Sequence, residues 1–358
     1  MTTVTTFRDR LQQSGAALAP DGIPLQFGDI KAEYRAALDH AVLMLRSHEG
    51  RLELAGRDRL EFIHRISTND IAGLSVGEGR PTLFLNANGR ILERATIYHR
   101  GETAQLITEP GRAAPLTSTL RQNIFFNDDA RMTDLTPQTE QFALHGPSAD
   151  SVIEAVVPNA VNLPPFHSIE TTVSDVPVFI ARNKPLVGAH WTVIAPIEHA
   201  LRVWQAILAA GAPHGLRPAG SLTYNVLRIR AGRPGVGREL TPEYIPLEVG
   251  LWDEISFSKG CYTGQEIIAR MESRSRVAKV MVRLALSAAI TAPAELSIEG
   301  RAVGMLTSSV TSPDGEHFGI GVVKTAFAET EQSLQLGADG NTARILALAA
   351  APPPMVSA

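Results

Sequence analysis

The chain has 358 residues, of which 44% are hydrophobic and 20% charged, with a net charge of −4. That length predicts two or three domains rather than one core, and the charge balance excludes a chain drawn to nucleic acid or an anionic membrane by its overall field. A single cysteine excludes an intrachain disulfide framework, a cysteine-rich metal site and a cluster held on four of the chain's own thiolates.

Residues 1–25 are polar and mixed, and Pro20–Pro24 reads as a loop. No early segment has a signal-like basic start and apolar run, and no apolar run reaches membrane-spanning length, so a reducing cytoplasm is the expected compartment. Ile30–Asp39 has a helical pattern, and the alternation in Gly50–Gly56 predicts a strand. Leu60, Ile63 and Ile66 predict an amphipathic helix over Arg57–Ile71. Pro81–Asn86 and Ile91–Tyr98 flank Ala87-Asn88-Gly89, a hairpin signal. Thr117–Ile124 is a helix candidate. Gln141–Leu144 predicts a strand running through His145 into Gly146-Pro147, where the histidine reads as a satisfied turn residue. Val152, Ile153, Val156 and Val157 then mark a helix. Pro177–Ile180 and Trp191–Ala195 read as a strand pair, and Leu201, Trp204, Ile207 and Leu208 give a helical face ending at Gly211.

Strands and helices alternate without a regular βα rhythm, which predicts α+β domains with antiparallel sheets. Past Arg274 the pattern changes to short strands and turns: Val277–Leu284 is strand-like, Glu299-Gly300 marks a hairpin, and Ser312-Pro313-Asp314-Gly315 is a strong turn. A small β-barrel is expected from about 275 to 346, followed by a disordered Ala/Pro-rich tail over 347–358. Arg270, Arg274, Arg276, Lys279 and Arg283 crowd one segment, either a solvated face or a site for an anionic ligand tail.

The only cysteine lies in Lys259-Gly260-Cys261-Tyr262-Thr263-Gly264-Gln265-Glu266. Thr263 and Glu266 have the spacing of a capping box ahead of Ile267 and Ile268, so a helix is expected to start near Gly264. Cys261 would then sit near the positive end of a helix, with Lys259 beside it; both favour the thiolate, and Glu266 opposes it. Read from the residues alone, a buried inert cysteine in a glycine-dependent turn explains the stretch equally well.

With its context Ile255–Arg270, this octapeptide resembles the signature of the YgfZ family, folate-binding proteins linked to iron–sulfur cluster maintenance. Other segments are similar to the aminomethyltransferase (T-protein) of the glycine cleavage system, the parent superfamily. They are Ser67-Thr68-Asn69-Asp70, Leu144–Pro147, Gly215–Gly220 and Leu227–Gly232, and the similarity spans about residues 20 to 345. The resemblance implies a three-lobed ring with folate in a central opening. Residues 20–50 with 138–250 would form a first α+β lobe that binds folate, 51–137 a second, 251–274 the signature loop and helix, and 275–346 the barrel.

The positions that carry the T-protein's chemistry have changed. Its Asp-Asp pair corresponds to Glu93-Arg94, and its Gly-Tyr-Thr-Gly-Glu segment, with the pterin-binding acid, corresponds to Lys184–Gly188. Thr223-Tyr224-Asn225 replaces an Ala-Arg-Asp, and Arg230 replaces a glutamate. Glu93 is a weak substitute acid; the plain alternative is an exposed strand end in which Arg94 pairs with it. Folate itself calls for ring faces and for cationic forks on its glutamate tail. The resemblance implies Arg228 and Arg182 for the tail or the pocket wall, Tyr224, Trp252 and Tyr262 for ring faces, and Gln265 from the signature. The histidines form no ligand-like cluster with acids, so no metal site is expected.

The expected protein binds tetrahydrofolate or a related reduced folate. It supports assembly or repair of iron–sulfur enzymes, with Cys261 as working thiol assisted by Lys259, and its partners are iron–sulfur client enzymes or assembly factors. One alternative is a folate-dependent aminomethyltransferase; another is a non-catalytic folate-binding module.

Overall fold

The computed structural model describes residues 6–273, 277–337 and 340–349. Arg274, Arg276 and the tail from 350 on lie outside them. By contacts the chain divides into two units. The first holds residues up to Arg59, Leu74–Arg80 and Thr96–Asn225; the second holds Leu60–Gly73, Pro81–Ala95 and the chain from Val226.

The first unit carries a six-stranded sheet in the order Ser168–Val173, Val176–Arg182, Ala189–Pro196, Thr139–Gly146, Ala41–Leu45 and Leu216–Ala219. Neighbours are antiparallel except the last pair, where Leu216–Ala219 runs parallel to Ala41–Leu45. Helices Ala149–Val156 and Ala200–Gly211 contribute Val152, Ile153, Val203, Trp204 and Ile207 to the core that the sheet builds. The short helix Phe7–Gln13, in a stretch that reads as polar and irregular, adds Leu11 to that core and is closed by a capping box between Thr6 and Asp9. His145 is a fully buried strand residue, not a turn histidine, because the strand runs on to Gly146.

A five-stranded sheet follows the order Gly79–Leu85, Ile91–His99, Thr103–Pro110, Glu49–Ala55 and Arg131–Asp134. The tip of its first hairpin belongs to the second unit. There Leu83, Leu85 and Ile91 share a core with Tyr262, Ile268, Met281 and Ile320. The helix predicted over Arg57–Ile71 is shorter, Arg59–Ile66, with Phe62 and Ile63 buried. The last part of the chain is a closed, antiparallel six-stranded barrel. Its final strand, Asn341–Leu348, closes on Lys279–Leu286, so pairing continues two residues beyond the expected barrel end. Gly315 N–H donates to Ser312 O at 2.9 Å, closing the predicted turn.

Candidate functional site

Two motifs far apart in sequence form one hydrogen-bonded structure in the second unit. Thr68 Oγ1 donates to Glu254 O at 2.7 Å, and Ser256 N donates back to Thr68 O at 3.0 Å. The Asn69 amide donates to Pro81 O at 2.9 Å and Asp253 O at 3.4 Å, while Asn69 N–H reaches Thr82 Oγ1 at 3.0 Å. All three polar side chains, Thr68, Asn69 and Thr82, are buried, and these bonds satisfy them.

Lys259 completes the connection. Its ammonium donates to His64 O, to Ser67 O at 2.6 Å and to Asn69 O at 3.1 Å. An ammonium has three donors, and here each has a carbonyl acceptor. Its charge is therefore directed at the C-terminal end of helix Arg59–Ile66, where carbonyls lack intrahelical partners and a cation is favourable. Burial pushes the Lys259 pKa down to about 8, with Asp70 and Glu61 acting the other way. His64 Nδ1 accepts from Ile71 N and Ala72 N, each at 3.2 Å. Burial, then the Lys259 charge, hold its pKa below the usual imidazole range.

Tyr262 lies in the core beneath this loop, its ring 5.3 Å from Lys259 Nζ, and burial raises its pKa to about 12. Cys261, between these two anchors, is exposed, which removes the buried-cysteine alternative. Trp252 is half-buried with its ring 6.3 Å from Phe257, which is exposed.

The helix after the loop is Gln265–Ser273, opened by the half-buried Gln265. The expected Thr263–Glu266 capping box is out of register by one residue. Ile268 N–H donates to Gly264 O, so Gly264 is the cap residue, at φ +84°. A Cβ there would lie 2.7 Å from Asn86 O and 2.9 Å from the Gly89 Cα. Close approach to the hairpin tip, together with the left-handed backbone, requires this glycine. Gly260 is different: a Cβ would meet nothing within 4 Å.

Glu93 is buried rather than an exposed strand end, because its strand runs on through the sheet to His99. Arg94 forks onto Glu254, with Nη2 to Oε1 at 2.7 Å and Nε to Oε2 at 2.8 Å, both side chains nearly buried. Arg228 donates to Ser308 Oγ at 3.0 Å, to Arg233 O at 3.2 Å and to Glu239 Oε2 at 3.5 Å. Glu239 is fully buried and also accepts from Thr307, Ser308 and Gly235 N–H.

Arg182 and Tyr224 belong to the first unit. Arg182 donates to Asp150 at 3.0 Å and to Val161 O and Leu163 O, and it lies over the Trp191 ring. Tyr224 has the Arg46 guanidinium 3.6 Å from its ring centroid, and stacked His145 and His190 (4.1 Å) continue from it. Gly188, which the resemblance sets opposite the T-protein's pterin-binding acid, has φ +57° and no room for a side chain. A Cβ would lie 2.2 Å from Gly146 C and 2.3 Å from Pro147 N.

Sequence reasoning gave no role to Thr68, Asn69, Glu254, Glu239 or Arg46. No local signal marks the two glutamates: Glu254 follows Asp253 and Glu239 follows Arg238 in mixed, polar stretches, and only the fold buries them.

Residues 7–259 match the family described as the GCVT N-terminal domain. A chloroplastic Arabidopsis thaliana protein, named as a candidate transferase, is 31% identical over 336 residues, covering 93% of this chain and 77% of its own. An aminomethyltransferase of Geobacillus kaustophilus is 27% identical over 324 residues, covering 89% of this chain and 88% of its own. The glycine cleavage system aminomethyltransferase T of Bartonella henselae superposes with a TM-score of 0.84 at 22% identity, covering 98% of each chain, which establishes a shared fold. Among the described residues no helix is long and apolar enough to cross a membrane.

Proposed function

Because the chain belongs to the glycine cleavage T-protein superfamily, through the GCVT N-terminal domain family, we propose that it is a tetrahydrofolate-binding protein of the YgfZ type. In this reading it supports assembly or repair of iron–sulfur enzymes, Cys261 is its working thiol, and client enzymes or assembly factors are its partners. The observation that carries the proposal is the exposed Cys261 on a loop fastened at both sides, by Lys259 to three carbonyls and by Tyr262 to the core. An inert cysteine has no need of solvent, whereas a thiol that exchanges with a partner or accepts sulfur needs both access and a fixed approach.

Reduced folate supplies a pterin and a charged tail to be held. Of the ring-face candidates, Trp252 is half-buried in the second unit, whereas the Tyr224 ring in the first unit already carries the Arg46 guanidinium. Arg182 and Arg228 act as wall residues in this proposal, because their donors already engage Asp150, Glu239 and neighbouring carbonyls. The test is twofold. Calorimetry is expected to detect tetrahydrofolate binding, and its absence removes the folate half. A deletion strain assayed for iron–sulfur enzyme activity is expected to be rescued by the wild-type gene and not by Cys261→Ala; full rescue by that variant removes the thiol.

The relatives named aminomethyltransferase favour a second reading, transfer of an aminomethyl group to folate. That reaction needs an acid to steer protons while ammonia leaves. Gly188 offers no carboxylate, and Arg94 is committed to Glu254. The assay is ammonia release from an aminomethyl-lipoyl carrier. Turnover of ordinary enzyme magnitude, on the order of 1–10³ per second, would promote this reading over the first.

A further inference from the structure

We propose that Lys259 is the positioning residue of the signature loop: its ammonium acts as an internal cation that closes a ring of main-chain carbonyls from His64, Ser67 and Asn69 and thereby fixes the segment that presents Cys261. The inference rests on the reading of Cys261 as the working thiol and assigns Lys259 a part different from direct activation of that thiol.

The geometry is that of a cation site made by backbone. Two of the carbonyls belong to the end of helix Arg59–Ile66 and the turn after it, and the third to Asn69, whose amide group is tied to Pro81 O and Asp253 O. Asn69 is thus tied to the surrounding backbone by bonds that do not involve Lys259. Carbonyls converging on one point repel one another and leave acceptors unsatisfied unless a donor or a cation lies between them. Lys259 is the donor that answers all three, and its stem enters beside the Tyr262 ring, which adds a cation–π contact at 5.3 Å. Asp70 and Glu61 supply negative charge around the site. On the other side of the loop Ser256 N–H is bound to Thr68 O, and Lys259 N–H to Ser256 Oγ at 3.2 Å. Removing the ammonium therefore loosens the loop where it joins Ser67–Asn69 and leaves the barrel's own pairing intact.

The experiment measures amide hydrogen exchange in the full chain. In Lys259→Met, protection at Ser256 and Lys259 is expected to fall roughly tenfold or more, the scale of a lost charge-assisted hydrogen bond. Protection of barrel amides in Met281–Leu284 is expected to stay unchanged. In Lys259→Ala, propylammonium is expected to restore loop protection where 1-propanol at equal concentration does not, because the ring calls for charge and donors rather than volume. Unchanged protection in Lys259→Met, or equal rescue by the alcohol, overturns the proposal. Should the variants fail to fold, the wild type decides: a Lys259 ammonium resonance with slowed proton exchange supports the ring, and one exchanging as fast as surface lysines overturns it. These readouts are separate from the thiol reading, which Cys261→Ala tests by client activity alone.

Discussion

Two segments singled out by resemblance, Lys184–Gly188 by likeness to the T-protein and Ser256–Gly264 through its YgfZ-like octapeptide, are built in opposite ways. In the first unit, Lys184–Gly188 ends in a glycine pressed against the backbone of Gly146 and Pro147. In the second, Ser256–Gly264 is held by side chains, with Lys259 and Tyr262 as its fastenings, and leaves Cys261 in solvent. The first segment is held by a backbone contact that leaves no room for a side chain; the second uses its side chains to hold an exposed thiol in place. Gly188 is thus not an open position: the backbone of Gly146 and Pro147 occupies the space that a side chain there would need.

The largest effect that tests this contrast is expected from placing an acid at position 188. Gly188→Glu places a Cβ about 2.2 Å from Gly146 C, at φ +57°, where only backbone movement can relieve the clash. A loss of about 3–5 kcal/mol is expected in denaturant unfolding, with no gain of aminomethyl transfer. A stable, correctly folded Gly188→Glu would show that the segment has room for a carboxylate after all.

Gly264→Ala tests the other segment. The Cβ would meet Asn86 O at 2.7 Å and Gly89 at 2.9 Å, and the left-handed φ adds strain. About 2 kcal/mol of destabilisation is expected, concentrated at the hairpin tip and the loop in hydrogen exchange. A loss spread evenly over the barrel as well would mean that the loop is not a separable element.

These glycines also show what the sequence could and could not convey. Helices and hairpins with local punctuation were legible: Ile30–Asp39 folds as its pattern predicts, and Asn88-Gly89 and Pro313-Asp314-Gly315 mark real turns. Phe7–Gln13 was not, because one short helix leaves too few apolar positions for a period to show. The capping register failed by one residue because Gly264 has a left-handed backbone, which keeps it out of the helix, and it packs closely on Asn86 and Gly89 far upstream. In the candidate site the residue types were legible and their roles were not. Lys259 reads as a cation beside a cysteine until the carbonyls of His64, Ser67 and Asn69 are seen around it. Arg228 reads as a ligand fork until Glu239 and Ser308 occupy it. Such roles depend on partners tens to hundreds of residues away, which local spacing does not encode.

Acid sensitivity should separate the two regions as well. In the first unit, His48 is half-buried with its Nδ1 lacking a hydrogen-bond partner among the described residues. Burial first, and then the Arg46 cation, push its pKa from the ordinary 6.5 to about 4. Between those values the unfolded chain binds a proton that the folded chain does not. The stability linked to His48 is therefore complete above pH 6.5 and is lost as pH falls toward 4. Allowing for its partial exposure, about 1–2 kcal/mol is expected, read as the difference between denaturant midpoints at neutral and mildly acid pH. His48→Asn should flatten that difference while leaving the alkylation of Cys261 unchanged.

The smallest expected effect is the most informative about the signature itself. Gly260 adjoins Cys261, has open space at its Cβ position and does not have the left-handed backbone of Gly264. Nothing in the folded chain requires a glycine there, so Gly260→Ala should alter stability by less than about 0.5 kcal/mol. The same methyl would be added at the residue next to the exposed thiol. If Cys261 works by exchange with a partner, Gly260→Ala should keep the wild-type unfolding curve and loop protection yet slow the reaction with a protein disulfide more than with a small alkylating reagent. The ratio of those two rates separates access from reactivity. An equal slowing of both would point to a disturbed thiol environment. No slowing of either would show that the open space at Gly260 is ordinary solvent and that the partner approaches Cys261 from elsewhere.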